Sequence, residues 1–131
     1  MLSIFSKIIR GEIPSYKIAE DDRFYAFLDI NPLAKGHTLV VPKLEVDYIF
    51  DLEDDLLGDM MKFAKNIALA IDMTMDCKRV GIAVLGLEVP HAHIHLCPIN
   101  DLHDIEFSKA KLKLSKEEFE EIATTIKAAL A

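Results

Sequence analysis

Three histidines alternate with apolar residues along one short stretch of the chain. His91, His93 and His95 lie in the run from Val89 to Pro98. Because the side chains of an extended strand point alternately to its two faces, this spacing predicts that the three imidazoles share one face. The residues of the opposite face are apolar: Ala92, Ile94 and Leu96. We therefore predict that one strand contributes both to the core and to a site.

Three interpretations of this face differ in their chemistry. It could be a solvated strand surface, although three histidines in register make this the least favoured interpretation. It could hold zinc, since two histidines of a strand can bind the metal with a third ligand from elsewhere, but no cysteine or carboxylate stands out as that ligand. In the third interpretation an imidazole with a pKa of about 6.5, mostly neutral at pH 7, attacks phosphorus without a separate base. A neighbouring imidazolium would hold the phosphate or protonate the leaving group.

The composition excludes several classes of protein. The 131 residues are 51% apolar and 28% charged, which predicts a single domain over residues 1–131. Fifteen Lys and Arg oppose 22 Asp and Glu, for a net charge of -7, and no basic run is present, so we expect no nucleic-acid partner. No apolar run approaches the roughly 20 residues of a membrane span, and residues 1–10 do not show the apolar region and cleavage site expected of a signal peptide. We expect a cytoplasmic protein without a membrane partner, in which Cys77 and Cys97 are reduced.

Apolar spacing and turn residues predict the elements that position the histidines. The predicted helices cover residues 4–10, a long segment from Leu56 to Ile71 and a C-terminal segment behind the Ser115–Glu118 capping box, and the predicted strands cover residues 16–19, 24–30, 38–41, 80–87 and 89–99. Asp51 or Asp54 is expected to cap the long helix. Strands in runs, with the long helix between the third and fourth, predict the α+β class with a five-stranded antiparallel sheet.

The segment from His91 to Cys97 resembles the signature of the histidine triad superfamily, in which His, apolar, His, apolar, His and two apolar residues form the catalytic strand. Residues 3–14, 27–32 and 36–43 are similar to further segments of that family, in the same order. The resemblance spans about residues 3–99. Residues 100–131 are expected to be a variable C-terminal extension of the same domain.

The resemblance implies a nucleotide hydrolase or transferase that acts through a covalent intermediate. His93 would attack the α-phosphate of a purine nucleoside phosphoramidate or a similar conjugate, and water would resolve the nucleotidyl-histidine. The carbonyl of His91 would accept the Nδ1–H of His93 and fix its tautomer. His95 would contact the phosphate and help to protonate the leaving group. No cofactor is implied, and relatives are homodimers whose sheets join edge to edge.

The resemblance also implies a nucleoside-binding site. Asp29 would accept hydrogen bonds from the ribose hydroxyls, although a turn residue is the alternative at that position. Apolar residues would enclose the purine, with ordinary core as the alternative for each: Ile4, Phe5, Ile8, Phe27 and Ile30. Glu88 would lie near the leaving group, where its charge would disfavour polyanionic leaving groups or bind an amine.

The chain departs from many bacterial relatives at three positions. Ser3, Ser6 and Glu45 stand where those relatives carry zinc ligands, so we expect no structural metal. His37 and His103 are expected to be a turn residue and a tail residue. The alternative functions are a dinucleoside polyphosphate hydrolase, a non-catalytic nucleotide-binding module and a metal-dependent hydrolase.

Overall fold

One five-stranded antiparallel sheet carries the structure, a computed structural model that describes residues 2–131. The strands are β1 (Lys17–Glu20), β2 (Phe24–Leu28), β3 (Thr38–Pro42), β4 (Arg79–Ala83) and β5 (Ile94–Ile99), in the spatial order β1-β2-β3-β5-β4. The helices are α1 (Ile4–Ile9), α2 (Asp54–Thr74) and α3 (Lys116–Ala128), with short 3-10 turns at Ile49–Asp51 and Leu102–Ile105. The predicted α+β class, with its long helix between β3 and β4 and its C-terminal helix, is confirmed.

The two faces of the sheet bury different clusters. Helices α2 and α3 pack on one face around a large core that includes Ile94 and Leu96 of β5, both completely buried. Helix α1 covers part of the other face with a smaller apolar cluster: Phe5, Ile8, Tyr25, Phe27, Leu39 and Val41. Strands β2 and β3 are buried along their whole length because they lie beneath both layers.

The helix starts differ in how well the sequence predicts them. Ser115 accepts a hydrogen bond from the backbone N–H of Glu118, whose carboxylate accepts one from the backbone N–H of Ser115, so the predicted capping box of α3 is present. The predicted cap of α2 is wrong. The N-cap residue is Glu53, which makes no side-chain capping bond. Asp54 instead lies in the first turn, where its negative charge interacts favourably with the positive end of the helix dipole.

Three strand ends differ from the prediction by more than one residue. Strand β4 ends at Ala83 rather than residue 87, and β5 begins at Ile94 rather than residue 89. Pro90 cannot donate a backbone bond, and the N–H of Ala92 pairs with the Val46 carbonyl at 2.6 Å instead of with a neighbouring strand. His91 and His93 therefore precede β5.

Strand β2 ends at Leu28 rather than residue 30, because the backbone N–H of Asp29 donates to the His37 carbonyl at 3.0 Å and the chain then turns. Within residues 2–131, no helix combines the length and apolarity needed to cross a membrane.

Candidate active site

The three histidines lie on the sheet face that carries α1. The ring of Phe5 in α1 is 5.8 Å from that of His91 and 4.9 Å from that of His93, between centroids. His95 pairs with Leu39 of the same smaller cluster, and the His93 and His95 centroids are 4.9 Å apart. The residues between them are in the main core. The alternation seen in the sequence thus separates site from core, although only His95 lies within β5.

The geometry around His93 leaves one nitrogen free to react. Its Nδ1 lies 2.7 Å from the carbonyl oxygen of His91, which can only accept, so Nδ1 carries the proton and Nε2 carries a lone pair. Burial lowers the pKa of the His93 imidazole, and the bond to the His91 carbonyl opposes this only in part. The ring is therefore neutral at pH 7. A cavity of about 780 Å³ is lined by Ala92 and His93 together with residues 47–50, residues 84–87 and one side of α2, and neither Asp29 nor His95 lines it.

His91 is completely buried, and both of its ring nitrogens are engaged. Its Nε2 lies 2.7 Å from the carbonyl oxygen of Pro42 and must donate to it. Its Nδ1 therefore accepts, and the Ser3 hydroxyl, 2.7 Å away, is the donor. The backbone N–H of Ser6 donates to the same hydroxyl oxygen at 3.0 Å. These bonds fix the orientation of the residue whose carbonyl holds His93.

Glu45 forms the outer end of this network. Its carboxylate accepts the hydroxyl proton of Ser6 at 2.6 Å and the backbone N–H of Ser3 at 2.7 Å. Those bonds, that of Ser6 foremost, lower the pKa of Glu45 to about 2. We call Glu45, Ser6 and Ser3 the hydroxyl network. The two hydroxyls and the carboxylate already have hydrogen-bond partners, and these groups do not match the thiolate and imidazole ligands of a structural zinc.

His95 is held by a second histidine. The backbone N–H of Leu33 donates to Nδ1 of His37, so Nε2 of His37 carries the proton and donates to Nδ1 of His95 at 3.0 Å. The remaining proton of His95 is then on Nε2. Burial lowers the pKa of His37 to about 4 and that of His95 to about 3, with the neighbouring rings adding to the effect on His95.

His37 was expected to be a turn residue, and its contact with His95 went unpredicted. The pairing of β3 with β5 would have indicated this contact. Residues 37 and 39 lie on the same face of the chain at β3, and Leu39 is the Cα partner of His95.

Asp29 stabilises a turn and also lies beside the His37–His95 pair. One carboxylate oxygen accepts the backbone N–H of Asn31 at 2.8 Å, while the other lies 3.6 Å from Nε2 of His37. Burial raises the pKa of Asp29. Asp29, His37 and His95 offer ligand atoms within 4.8 Å of one another, the grouping within residues 2–131 that could hold a metal ion. The two rings already bond to each other, so a cation would have to break that bond.

The apolar residues predicted around the purine divide into two groups. Phe5, Ile8 and Phe27 are buried and pack together, with the Phe5 and Phe27 centroids 5.6 Å apart. Ile4 and Ile30 are exposed by 48% and 65%. The structure brings the first group next to the triad through Phe5 and leaves the second group at the surface.

Four further residues differ in how they relate to the triad. Glu88 is exposed in the loop before the triad, and its charge raises the pKa of both His93 and Asp29. Cys97 is buried, and burial raises its pKa to about 12, so it remains a thiol. His103 is exposed and bonds to Glu106. Phe107, which sequence reasoning left in the tail, packs its ring 4.6 Å from that of His95.

Comparison with known proteins places these features in a family. The model of the HIT domain matches residues 10–102. The chain is 42% identical over 99 residues to adenosine 5'-monophosphoramidase of Saccharomyces cerevisiae, covering 75% of this chain and 63% of that protein. It is 33% identical over 133 residues to the Schizosaccharomyces pombe protein of the same name, covering 97% of this chain and 100% of that protein.

A solved structure gives the same result for the fold. A Hit-like protein of Bartonella henselae superposes with a TM-score of 0.84 at 34% identity, covering 98% of this chain and 96% of that chain. The ordered triad, the matched domain and these relatives together show that the chain belongs to the HIT, or histidine triad, family.

Proposed function

We propose that the protein is a nucleotide hydrolase or transferase that attacks the α-phosphate of a purine nucleoside phosphoramidate through a covalent nucleotidyl-His93. The observation that carries the proposal is the tautomer of His93: Nδ1 carries the proton and donates it in a hydrogen bond to the His91 carbonyl, so the lone pair of Nε2 is free. Two relatives named adenosine 5'-monophosphoramidase support the choice of substrate. Because the ring is neutral, no separate base is needed to activate it.

The reaction divides into two displacements at phosphorus. In the first, the lone pair of Nε2 of His93 forms a bond to phosphorus, and the P–N bond breaks with its electron pair leaving on the amine. In the second, water attacks phosphorus and the P–Nε2 bond breaks. The departing amine takes up one proton and the attacking water releases one, so the protons balance through the solvent. The Nδ1 proton of His93 stays on the ring throughout, and its hydrogen bond to the carbonyl of His91 stabilises the positive ring of the intermediate.

His95 assists as a hydrogen-bond donor. Its single proton is on Nε2, because Nδ1 accepts from His37. That N–H is suited to a phosphate oxygen or to the leaving nitrogen, where the interaction strengthens as charge develops. A neutral imidazole holds only this proton, so the proton that finally leaves with the amine comes from the solvent.

The nucleoside would bind at the end of β2. The free oxygen of Asp29 is suited to the ribose hydroxyls, while its other oxygen keeps the turn to Asn31 in place. The base would lie among the apolar residues predicted for it, with Phe5 and Phe27 as the buried members and Ile4 and Ile30 as the exposed ones.

The negative charge of Glu88 favours a phosphoramidate over a polyphosphate. This charge acts on both His93 and Asp29 and would repel further phosphates of a leaving group. In a Glu88→Ser variant the ratio of kcat/KM for an adenosine phosphoramidate to that for a dinucleoside polyphosphate should fall severalfold. An unchanged ratio would refute this role of Glu88.

One of the two edges of the sheet supports a homodimer. Within residues 2–131, strand β4 has no partner on its outer side, and apolar residues at or beyond it are partly exposed: Ile82, Val84 and Leu85. An exposed apolar edge favours pairing with another strand, here the same strand of a second copy. The two cysteines, which are not joined, agree with a cytoplasmic location.

Intact-mass measurement tests the covalent intermediate. The protein is incubated with an adenosine phosphoramidate and quenched in base, which preserves bonds between phosphorus and histidine. We expect a nucleotidyl mass increment in the wild-type protein and in His103→Ala, an exposed histidine outside the site, and none in His93→Ala. Binding of AMP without an adduct or turnover would instead identify a non-catalytic binding module. Activity that is lost on chelation and restored by zinc would identify a metal-dependent hydrolase.

A further inference from the structure

The segment after β5 folds back onto the site although it lies outside the matched HIT domain, which ends at residue 102. The ring of Phe107 lies 4.6 Å from that of His95 and 6.1 Å from that of His37, between centroids. The backbone N–H of Leu112 donates to the carbonyl of Pro32 at 2.8 Å. Residues 106–112, which we call the return segment, therefore close the site between the triad and the turn that follows Asp29.

The return segment holds one cation in place. The ammonium group of Lys111 donates to the backbone carbonyls of Phe107 and, at 3.1 Å, of Lys109. Its nitrogen also lies 5.9 Å from the centroid of the Phe107 ring. An ammonium group has three donors, so one remains. In the part of the chain that the structure describes, no carboxylate lies within 4.0 Å of this nitrogen, and the charge of Lys111 is not neutralised by an ion pair.

Among the described residues, the histidines around His95 supply no positive charge at pH 7. Burial keeps His37, His93 and His95 neutral at pH 7, since it lowers the pKa of each ring. The carboxylates of Asp29 and Glu88 add negative charge, and an anionic phosphate entering there would be repelled. The positive charge of Lys111 acts on this same region, because it lowers the pKa of Asp29, His37 and His95 alike.

We propose that Lys111, presented by the return segment, binds the phosphate of the nucleotide at the His95 end of the triad. The inference rests on the proposed function and adds to it a phosphate-binding residue from outside the matched domain. The ligand class is a nucleoside monophosphate or its conjugate through nitrogen. A nucleoside without phosphate offers Lys111 no anion and would bind without its help.

Binding of two ligands to four proteins tests the proposal without requiring turnover. AMP and adenosine are titrated calorimetrically against wild type, Lys111→Met, Lys111→Arg and Lys113→Met. Lys113 is an exposed lysine two residues away and serves as the matched control. We expect Lys111→Met to weaken AMP binding about tenfold, which corresponds to about 1.4 kcal/mol, and to leave the affinity for adenosine unchanged. Lys111→Arg should retain most of the AMP affinity, and Lys113→Met should retain all of it. Added salt should reduce the difference in AMP affinity between wild type and Lys111→Met.

The outcomes separate this inference from the proposed function. The phosphate-binding role of Lys111 is overturned if Lys111→Met binds AMP as tightly as the wild type. It is also overturned if the variant loses the same affinity for AMP and for adenosine. Failure of the wild type to bind AMP also overturns it. Lys111-dependent AMP binding without any adduct on His93 leaves the inference standing and rejects the covalent mechanism. An adduct on His93, together with wild-type AMP binding by Lys111→Met, rejects the inference alone. A matching thermal midpoint for Lys111→Met and Lys113→Met shows that a lost affinity does not reflect unfolding.

Discussion

The two ends of the triad hold their histidines by different chemistry. At one end, His91 bonds to the carbonyl of Pro42 and to the hydroxyl of Ser3, which is backed by the rest of the hydroxyl network. Neither direct partner changes its protonation state near neutral pH. At the other end, His95 bonds to a second histidine and lies against the ring of Phe107.

This difference has a consequence for the response of each end to acid. Glu45 stays ionised far into the acid range because its pKa is about 2. The partner of His95 is itself an imidazole, and it keeps its tautomer only while both rings are buried and neutral. The hydroxyl network is therefore the acid-tolerant end of the site, and the His37–His95 pair is the acid-sensitive end.

The largest expected effect comes from removing the histidine behind His95. In His37→Ala the proton of His95 is free to move to Nδ1, so Nε2 no longer donates reliably toward the substrate. We expect kcat for an adenosine phosphoramidate to fall by about 10²-fold while KM changes little. His37→Gln, whose amide can donate to Nδ1 of His95, should recover part of the loss.

Steady-state kinetics and thermal unfolding of both variants provide the control. Equal rates for Ala and Gln at this position, at matched thermal midpoints, would show that His37 only fills space.

The next effect is the loss of stability in acid. The folded-state pKa values of about 4 for His37 and about 3 for His95 lie below the ordinary 6.5, so the unfolded chain binds more protons than the folded protein between these values. Stability should hold above pH 6.5 and decline as the pH falls through this window. The slope is about 1.4 kcal/mol per pH unit for each proton taken up on unfolding.

Urea unfolding at several pH values measures this slope, and His37→Ala should reduce it. A slope identical in wild type and variant would assign the acid loss to other groups.

Sequence reasoning succeeded where the pattern is local. Alternation in the triad segment placed Ile94 and Leu96 in the core, and the spacing behind Ser115 located α3. Both patterns depend only on the period of a strand or a helix, which burial enforces directly.

It failed where contacts join distant irregular segments. The partnership of His37 and His95 spans 58 residues, and the return segment has no regular structure over residues 106–112 from which its position could be inferred. Strand β5 also begins later than its sequence pattern predicts, because the N–H of Ala92 donates to the carbonyl of the loop residue Val46. Such bonds depend on tertiary approach and leave no periodic signal.

A smaller effect is expected at the other end of the triad. Ser3→Ala removes the hydroxyl that donates to Nδ1 of buried His91, and an unpaired buried acceptor costs about 1–3 kcal/mol. Ser15→Ala is the matched control, since that serine also bonds to a side chain, the hydroxyl of Tyr25 at 2.8 Å, and not to a histidine of the triad. The free energy of unfolding should fall more in Ser3→Ala, with a reduction in kcat of about tenfold or less. Equal losses in the two variants would remove the special role of the hydroxyl network.

The smallest effect concerns the ring that covers the acid-sensitive end. In Phe107→Ala, His95 becomes more exposed, so its pKa should rise from about 3 toward the ordinary 6.5, because burial is the main cause of the depression. Its ring would then begin to take up a proton at higher pH, and the acid limb of turnover would move in the same direction. NMR titration of the histidine rings follows this directly, with Leu102→Ala, which trims an exposed side chain nearby, as the control. The Nε2–H of His91, bound to Pro42, should keep its resonance in both variants. A shift at His91 equal to that at His95 would mean that the two ends respond as one unit and that the contrast between them is wrong.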